Sequence, residues 1–197
     1  MTLPFPSDIL QMTAVTVPML LTENKGLDPL DALRTIAITD GIPELVQLFD
    51  FQKSFAENLS LLFTQHSAYF RYAESELRRN FRTPETYNIL LYGMATGHNR
   101  VSQIAEFSGF PQNKCDKYLK ALDKAELLET VQRNDTAGHV RTHYYPKGSY
   151  WKTWFRYVFP SQGHRLKPLE GDSLQQLAND IDHSIVAEYF KKYAGSG

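Results

Sequence analysis

The sequence predicts a mainly α-helical protein with a small β-wing, in which a helical bundle is followed by a winged helix-turn-helix domain. Three observations predict this fold class. Apolar residues recur at helical spacing through residues 27–82. A short helix, a glycine-bearing turn and a longer helix follow between residues 99 and 125. Two alternating strands joined by a polar loop come directly after the longer helix.

The first 82 residues read as a succession of helices separated by clear breaks. Ser7 or Asp8 is expected to cap a short helix, and Asp28 and Pro29 open the next one. The run Asp40-Gly41-Ile42-Pro43 ends it. Further helices are expected over Glu44–Phe51, Ser54–Phe63 and residues 67–80. This region forms the first of three expected segments, which are a helical lid-like region (1–82), the winged helix-turn-helix domain (83–147) and a helical C-terminal extension (148–197).

The second segment begins with a helix start, because Thr83 can cap and Pro84 suits the first helical position. Asn99 is expected to cap the second helix, and Pro111 to open a third that runs to about Ala125. Strands are then expected around residues 127–131 and 140–145, with loop chemistry at 134–138 between them.

The third helix separates an apolar face from a basic one. At about 100° per residue, one arc carries Cys115, Tyr118, Leu119, Leu122 and Ala125. The opposite arc carries four lysines, and the helix N-terminus carries two side chains of the kind that read bases. The basic residues beside the wing are placed to meet phosphate. The candidate DNA-binding residues are therefore Gln112, Asn113, Lys114, Lys117, Lys120, Lys124, Arg133, His139 and Arg141.

Two functions fit this pattern. Double-stranded DNA would be bound with helix 111–125 in the major groove and the wing on the backbone. Alternatively, the domain is a protein–protein coupling module, because residues 84–145 hold seven basic and seven acidic residues and a lysine face is commonly just solvated.

Several segments resemble the archaeal/prokaryotic ATPase family of the AAA-like P-loop proteins. The resemblance covers residues 27–160 best. Gly41-Ile42-Pro43-Glu44-Leu45 is similar to the family's GGIP element, with Asp40 in place of the first glycine, and Trp154–Pro160 is similar to its WFRFV-P signature. The motifs between them are Tyr87-Asn88-Ile89-Leu90, Gly97, Ile104-Ala105, Lys117–Leu122 and Leu127-Leu128-Glu129, and Leu3-Pro4-Phe5 resembles the segment that leads into the lid. The resemblance implies a helical lid, a winged helix and the start of a nuclease-like C-terminal domain, and with them an ATPase core as a partner.

Catalytic signatures are missing from the sequence. It has no G-x-x-x-x-G-K-[ST] motif, no acidic Walker B strand and no clustered Asp/Glu/Lys set for metal-dependent cleavage. We therefore expect no enzyme activity and no cofactor, and a nuclease fragment is the weakest of three hypotheses.

Other constellations have ordinary structural interpretations. His139 and His143 would share one face of a strand but lack a third metal ligand. The acids of Asp180-Ile181-Asp182-His183 are expected on the surface of an amphipathic helix. The aromatic run over residues 150–159 could stack single-stranded nucleic acid, but its helical spacing favours core packing.

Bulk properties exclude some classes. The formal net charge is −1, so nucleic acid could be bound only through a local basic patch. The single cysteine, Cys115, cannot form an internal disulfide and fits a reducing cytoplasm. No signal peptide is recognised, and the most apolar early stretch, residues 13–21, is too short to span a bilayer.

Overall fold

The computed structural model describes residues 14–64, 67–136, 138–159 and 170–194. It is mainly helical, with one small antiparallel sheet of two strands, β1 and β2, in its described part. The predicted cap at Ser7 or Asp8, Leu3-Pro4-Phe5 and Pro160 lie outside the described residues. In chain order the elements are α1 (Val17–Glu23), α2 (Pro29–Thr39), α3 (Pro43–Val46), α4 (Phe55–Leu62), α5 (Ala68–Asn80), α6 (Pro84–Ala95), α7 (Val101–Ser108), α8 (Gln112–Lys124), β1 (Leu128–Asn134), β2 (Val140–Pro146), α9 (Gly148–Thr153), α10 (Gly171–Ile181) and α11 (Ala187–Ala194). A π-helical segment, Trp154–Val158, continues α9, and another, Asp182–Val186, joins α10 to α11.

Two predicted helix starts, those of α2 and α4, have a side-chain cap, whereas Thr83 occupies the N-cap position of α6 without a side-chain hydrogen bond. Asp28 accepts a hydrogen bond from the backbone N–H of Leu30 at the start of α2. Ser54 and Glu57 form a reciprocal capping box at the start of α4. The predicted strand pair is also confirmed: Leu128 lies opposite Pro146 at one end of the hairpin and Asn134 opposite Val140 at the other.

Two local predictions are wrong. The helix expected over Glu44–Phe51 is a single turn, α3, and the chain then folds back on the side chain of Asn58. That amide accepts from the N–H of Asp50 and donates to its carbonyl, so a tertiary contact replaces helix propagation. Asn99 does not cap α7, because Arg100 holds the N-cap position.

One hydrophobic core cluster contains residues from all three expected segments. The domain boundaries at residues 82 and 147 remain predictions. The aromatic run after β2 lies inside this cluster, since Tyr150, Trp154 and Phe155 are each at most 1% exposed. The indole N–H of Trp154 donates to the carbonyl of Phe70 at 3.3 Å. Core packing is therefore confirmed for these rings, which have no open face for stacking bases.

The acidic C-terminal motif is only partly on the surface. Asp182 forms a half-buried ion pair with Arg34 of α2, which also pairs with Asp31. The hydrogen bonds that Arg34 donates to Asp182 are the main reason that the pKa of Arg34 is raised above its usual range. Asp182 therefore joins the C-terminal helices to α2, contrary to the expectation of free surface acids.

Candidate nucleic-acid interface

A tight turn sets α8 at an angle to α7. Gly109 has a φ of +71°, a left-handed conformation that glycine adopts without a steric cost, and Pro111 then occupies the N-cap position of α8. The helix buries Cys115, Leu119 and Leu122 in the core. Because one face is fixed in this way, the opposite face must point to solvent.

The exposed face of α8 carries the basic residues that the sequence predicts. Lys117, Lys120 and Lys124 fall, with Asn113, within an arc of roughly 60° around the helix axis. We call these three lysines the lysine face. None of them has an ion-pair partner within 4 Å among the described residues. Their charges are therefore available to an anionic partner.

The other predicted residues of α8 lie beside this face. Gln112 is exposed on the side that faces the hairpin, and Lys114 is exposed on the opposite side. The Lys114 ammonium lies 4.9 Å from the ring centroid of Phe110 and 5.8 Å from that of Tyr118. These aromatic contacts hold Lys114 on the side of α8 that is turned away from the hairpin.

Two basic side chains of the hairpin, Arg141 and His139, contact Asp135. The Arg141 Nε donates to one Asp135 oxygen at 2.9 Å, and the His139 Nδ1 lies 3.6 Å from the other. The backbone N–H of His139 also donates to Asp135 at 2.9 Å. Asp135 is not among the predicted site residues, although it lies four positions before His139 in the sequence.

Arg133 lies on the face of the hairpin that is turned away from α8, as does its cross-strand partner Arg141. Strand residues alternate between faces, so Arg133 shares a face with Tyr145, whereas Thr130 and Tyr144 face α8. The Arg133 guanidinium is 5.7 Å from the ring centroid of Tyr145. It lines a cleft of about 470 Å³ together with Lys152 of α9 and Arg156 of the π-helical segment that continues α9. The structure therefore does not bring Arg133 together with the lysine face.

A groove with acidic residues separates the lysine face from the hairpin. Its volume is about 300 Å³, and its lining includes Asp116, Asp123, Thr130 and Tyr144. Burial raises the pKa of Tyr144, and the negative charge of Asp116 raises it further. The potential in this groove is thus shaped by two carboxylates from the flank of α8.

The hairpin is tied to the loop before α7 through Asn99. Its side-chain amide donates to the carbonyls of Met94 and Tyr144, both at 3.0 Å. The Tyr144 N–H in turn donates to the Asn99 carbonyl at 2.8 Å. The loop thus makes a short strand-like contact with the edge of β2.

The described residues contain no cluster of three His, Cys, Asp or Glu side chains that could hold a metal ion. His139 and His143 also do not share a strand, because β2 begins at Val140 and His139 lies in the loop. The structural premise for a two-histidine site is therefore absent. In the described part of the chain, no helix has the length and apolar character needed to cross a membrane.

Comparison with known proteins gives one distant relative. Over 131 residues the chain is 26% identical to the uncharacterized protein MJECL04 of Methanocaldococcus jannaschii, a match that covers 60% of this chain. The match covers only 30% of the archaeal protein, so more than two thirds of that protein lies outside it. No protein-family model matches the chain, and no solved structure matches it.

Proposed function

We propose that this protein binds double-stranded DNA through a winged helix-turn-helix domain, with α8 as the helix that enters the major groove. The observation that carries the proposal is the lysine face. Lys117, Lys120 and Lys124 are exposed, share one side of α8 and have no described acidic partner. Such a surface suits a phosphate backbone.

The arrangement around α8 supports the winged-helix assignment. Three helices in the order α6, α7 and α8 are followed at once by the hairpin. The contact between Asn99 and Tyr144 stands where a first, very short strand would join the sheet. We further propose that the chain acts with an ATPase core, on the resemblance of its motifs to AAA-like P-loop ATPases.

A salt titration tests the DNA proposal. Fluorescence anisotropy with a labelled duplex is measured at 50 and 200 mM salt. If the three lysines each neutralise one phosphate, affinity should fall about 40-fold over this range. The variant Lys117→Glu/Lys120→Glu/Lys124→Glu should lose binding at both salt concentrations.

The control carries the same change in net charge at other sites. Lys25, Lys53 and Lys191 are exposed or surface-paired and lie on other elements, so their conversion to glutamate should preserve most of the affinity. Absence of wild-type binding at 50 mM salt would overturn the proposal. Equal losses of DNA affinity in the two triple variants would show that binding depends on overall charge and not on the lysine face.

A coupling module is the second candidate function. It is favoured by the large unmatched part of the archaeal relative and by two exposed apolar side chains, Ile89 of α6 at 38% and Phe107 of α7 at 37%. This function predicts that a P-loop ATPase encoded beside the gene binds the chain. The variant Ile89→Asp/Phe107→Asp should abolish that binding and leave DNA affinity unchanged.

A further inference from the structure

We infer that the DNA backbone runs from the lysine face toward the junction of α5 and α6, where Arg82 lies, and not toward the hairpin. This inference rests on the proposed DNA-binding function and specifies which surface the duplex covers. It departs from the usual expectation that the wing lies along the backbone. Three independent observations lead to it.

The first observation is the pair of carboxylates on the hairpin side of α8. Asp116 and Asp123 line the groove between α8 and the hairpin, directly beside Lys120. A phosphate strand that crossed this groove would pass both carboxylates. Exposed carboxylates repel phosphates even when solvent screens them in part, so a path that avoids both is favoured.

The second observation is that the hairpin offers little free positive charge on this side. Arg141 and His139 already contact Asp135. Arg133 and its cross-strand partner Arg141 share the face that is turned away from α8, where the Arg133 guanidinium lies over Tyr145. A DNA strand that reached the hairpin from α8 would meet neither arginine on the near face, and Arg141 is already paired with Asp135.

The third observation is a row of aromatic rings on the other side of α8. Phe110 contacts Tyr118, Tyr118 contacts Tyr87 of α6, and Tyr87 stacks on Phe81 with centroids 3.7 Å apart. Lys114 lies over the first two rings of this row.

Arg82 directly follows Phe81 in the chain, at the far end of that row. Phe81 has an extended backbone, so the side chain of Arg82 points away from the buried ring next to it, and Arg82 is exposed. The centroid steps from Phe81 to Tyr87 and from Tyr87 to Tyr118 are 3.7 and 5.4 Å. Along this row of rings the exposed cations are Lys114 near one end and Arg82 at the other, and the exposed acid nearest to Arg82 in sequence is Glu85 in the first turn of α6.

Two matched substitutions test this orientation. Arg82→Gln and Arg133→Gln each remove one exposed guanidinium and lower the net charge by one, so the two variants carry equal charge. If Arg82 contacts phosphate, Arg82→Gln should weaken duplex binding about 15-fold at 50 mM salt and about fourfold at 200 mM salt. It should also reduce the slope of log K against log salt by about 1. Arg133→Gln should leave affinity and slope within twofold of the wild type.

The outcomes separate this inference from the function beneath it. A wild-type chain that does not bind DNA overturns the proposed function and this inference together. A wild type that binds, with Arg82→Gln unchanged or Arg133→Gln weakened to the same extent, overturns the orientation alone. A circular dichroism spectrum of each variant confirms that the helices are intact, because both arginines are exposed and outside the core.

Discussion

At the scale of single residues, Asp40 has a structural role of its own at the position where the resembled GGIP element has its first glycine. Asp40 has a left-handed backbone with a φ of +54°. Its carboxylate accepts from the hydroxyl of Ser149 at 2.7 Å and from the N–H of Tyr150 at 3.0 Å. Aspartate tolerates this conformation better than most residues, and here it also caps α9.

Gly41, the next residue, has no room for a side chain. Gly41 also has a positive φ, +66°, and a Cβ there would lie 2.2 Å from the carbonyl oxygen of Val15. The N–H of Val15 donates to the Gly41 carbonyl at 2.7 Å, so the two backbones meet directly. Only the second glycine of the pair is therefore required by space in this chain.

Substitution of Asp40 should separate its capping bonds from its backbone conformation. Asp40→Ala should lower the free energy of unfolding by about 2–4 kcal/mol, because it removes both hydrogen bonds and keeps a Cβ in the left-handed region. Asp40→Gly should cost about 1 kcal/mol less than the alanine change, since glycine relieves the steric part. Urea unfolding measures both values. Equal stability of the alanine and glycine variants would contradict the steric argument, and Asp40→Asn, which keeps an acceptor oxygen, serves as the control.

The candidate site could be predicted residue by residue only in part. Exposure of the lysines follows from helical periodicity, because the apolar arc of α8 has to be buried. The pairing of Arg141 with Asp135 and the direction of Arg133 depend on hairpin register and loop geometry. Periodicity carries no information on either of these.

At the scale of elements, helix starts were well predicted because capping is local. Asp28 and Ser54 act within three residues of themselves, so the sequence window contains the whole interaction. The two wrong predictions, the helix over Glu44–Phe51 and the Asn99 cap, have a non-local cause. In each, an asparagine side chain bonds backbone beyond the local sequence window: Asn58 bonds Asp50, eight residues away, and Asn99 bonds Tyr144, 45 residues away.

Asn99 should therefore stabilise the attachment of the hairpin to the loop before α7. Asn99→Ala removes the amide that joins the carbonyls of Met94 and Tyr144, and we expect a loss of about 1–2 kcal/mol. Hydrogen exchange should show faster exchange across β1 and β2, with α8 changed less. Asn134→Ala, a like substitution at the exposed end of β1, is the control. Uniform loss of protection in both the hairpin and α8 would contradict a local role.

At the scale of the whole molecule, the sequence predicts that the aromatic rings of α9 and of the π-helical segment after it are buried. It does not predict which element they pack against. Helical spacing over residues 150–159 indicated that the rings are buried. It could not indicate the partner, because Tyr150 and Trp154 contact α5, about eighty positions earlier in the chain. Such contacts are set by the packing of whole elements.

Two buried tyrosines link these distant segments. The hydroxyl of Tyr69 donates to the carbonyl of Ile38 at 2.7 Å, and that of Tyr150 donates to the carbonyl of Tyr69 at 3.0 Å. Both side chains are fully buried, and burial raises the pKa of each phenol well above its ordinary value. Folding therefore favours the neutral form of both residues.

The sign of the pH dependence follows from that shift. Below the unfolded pKa of about 10, the phenols are neutral in both states and the full stability is present. Above it, the unfolded chain loses protons that the folded chain retains, so the free energy of unfolding falls as pH rises. Each phenol contributes a slope of about 1.4 kcal/mol per pH unit, and the two together should remove about 3 kcal/mol by pH 11.

Urea unfolding at pH 8, 10 and 11, with tyrosinate absorbance as a second probe, measures this fall. Tyr69→Phe/Tyr150→Phe should be less stable at pH 8, because two buried carbonyls lose their donors, and its stability should decline less between pH 10 and 11. Tyr145→Phe, which changes a half-buried ring on the hairpin, should leave the decline as in the wild type. A double variant with the wild-type slope would assign the alkaline loss to other groups. It would also show that these two phenols, which link α2, α5 and α9, are not the groups whose ionisation lowers stability at alkaline pH.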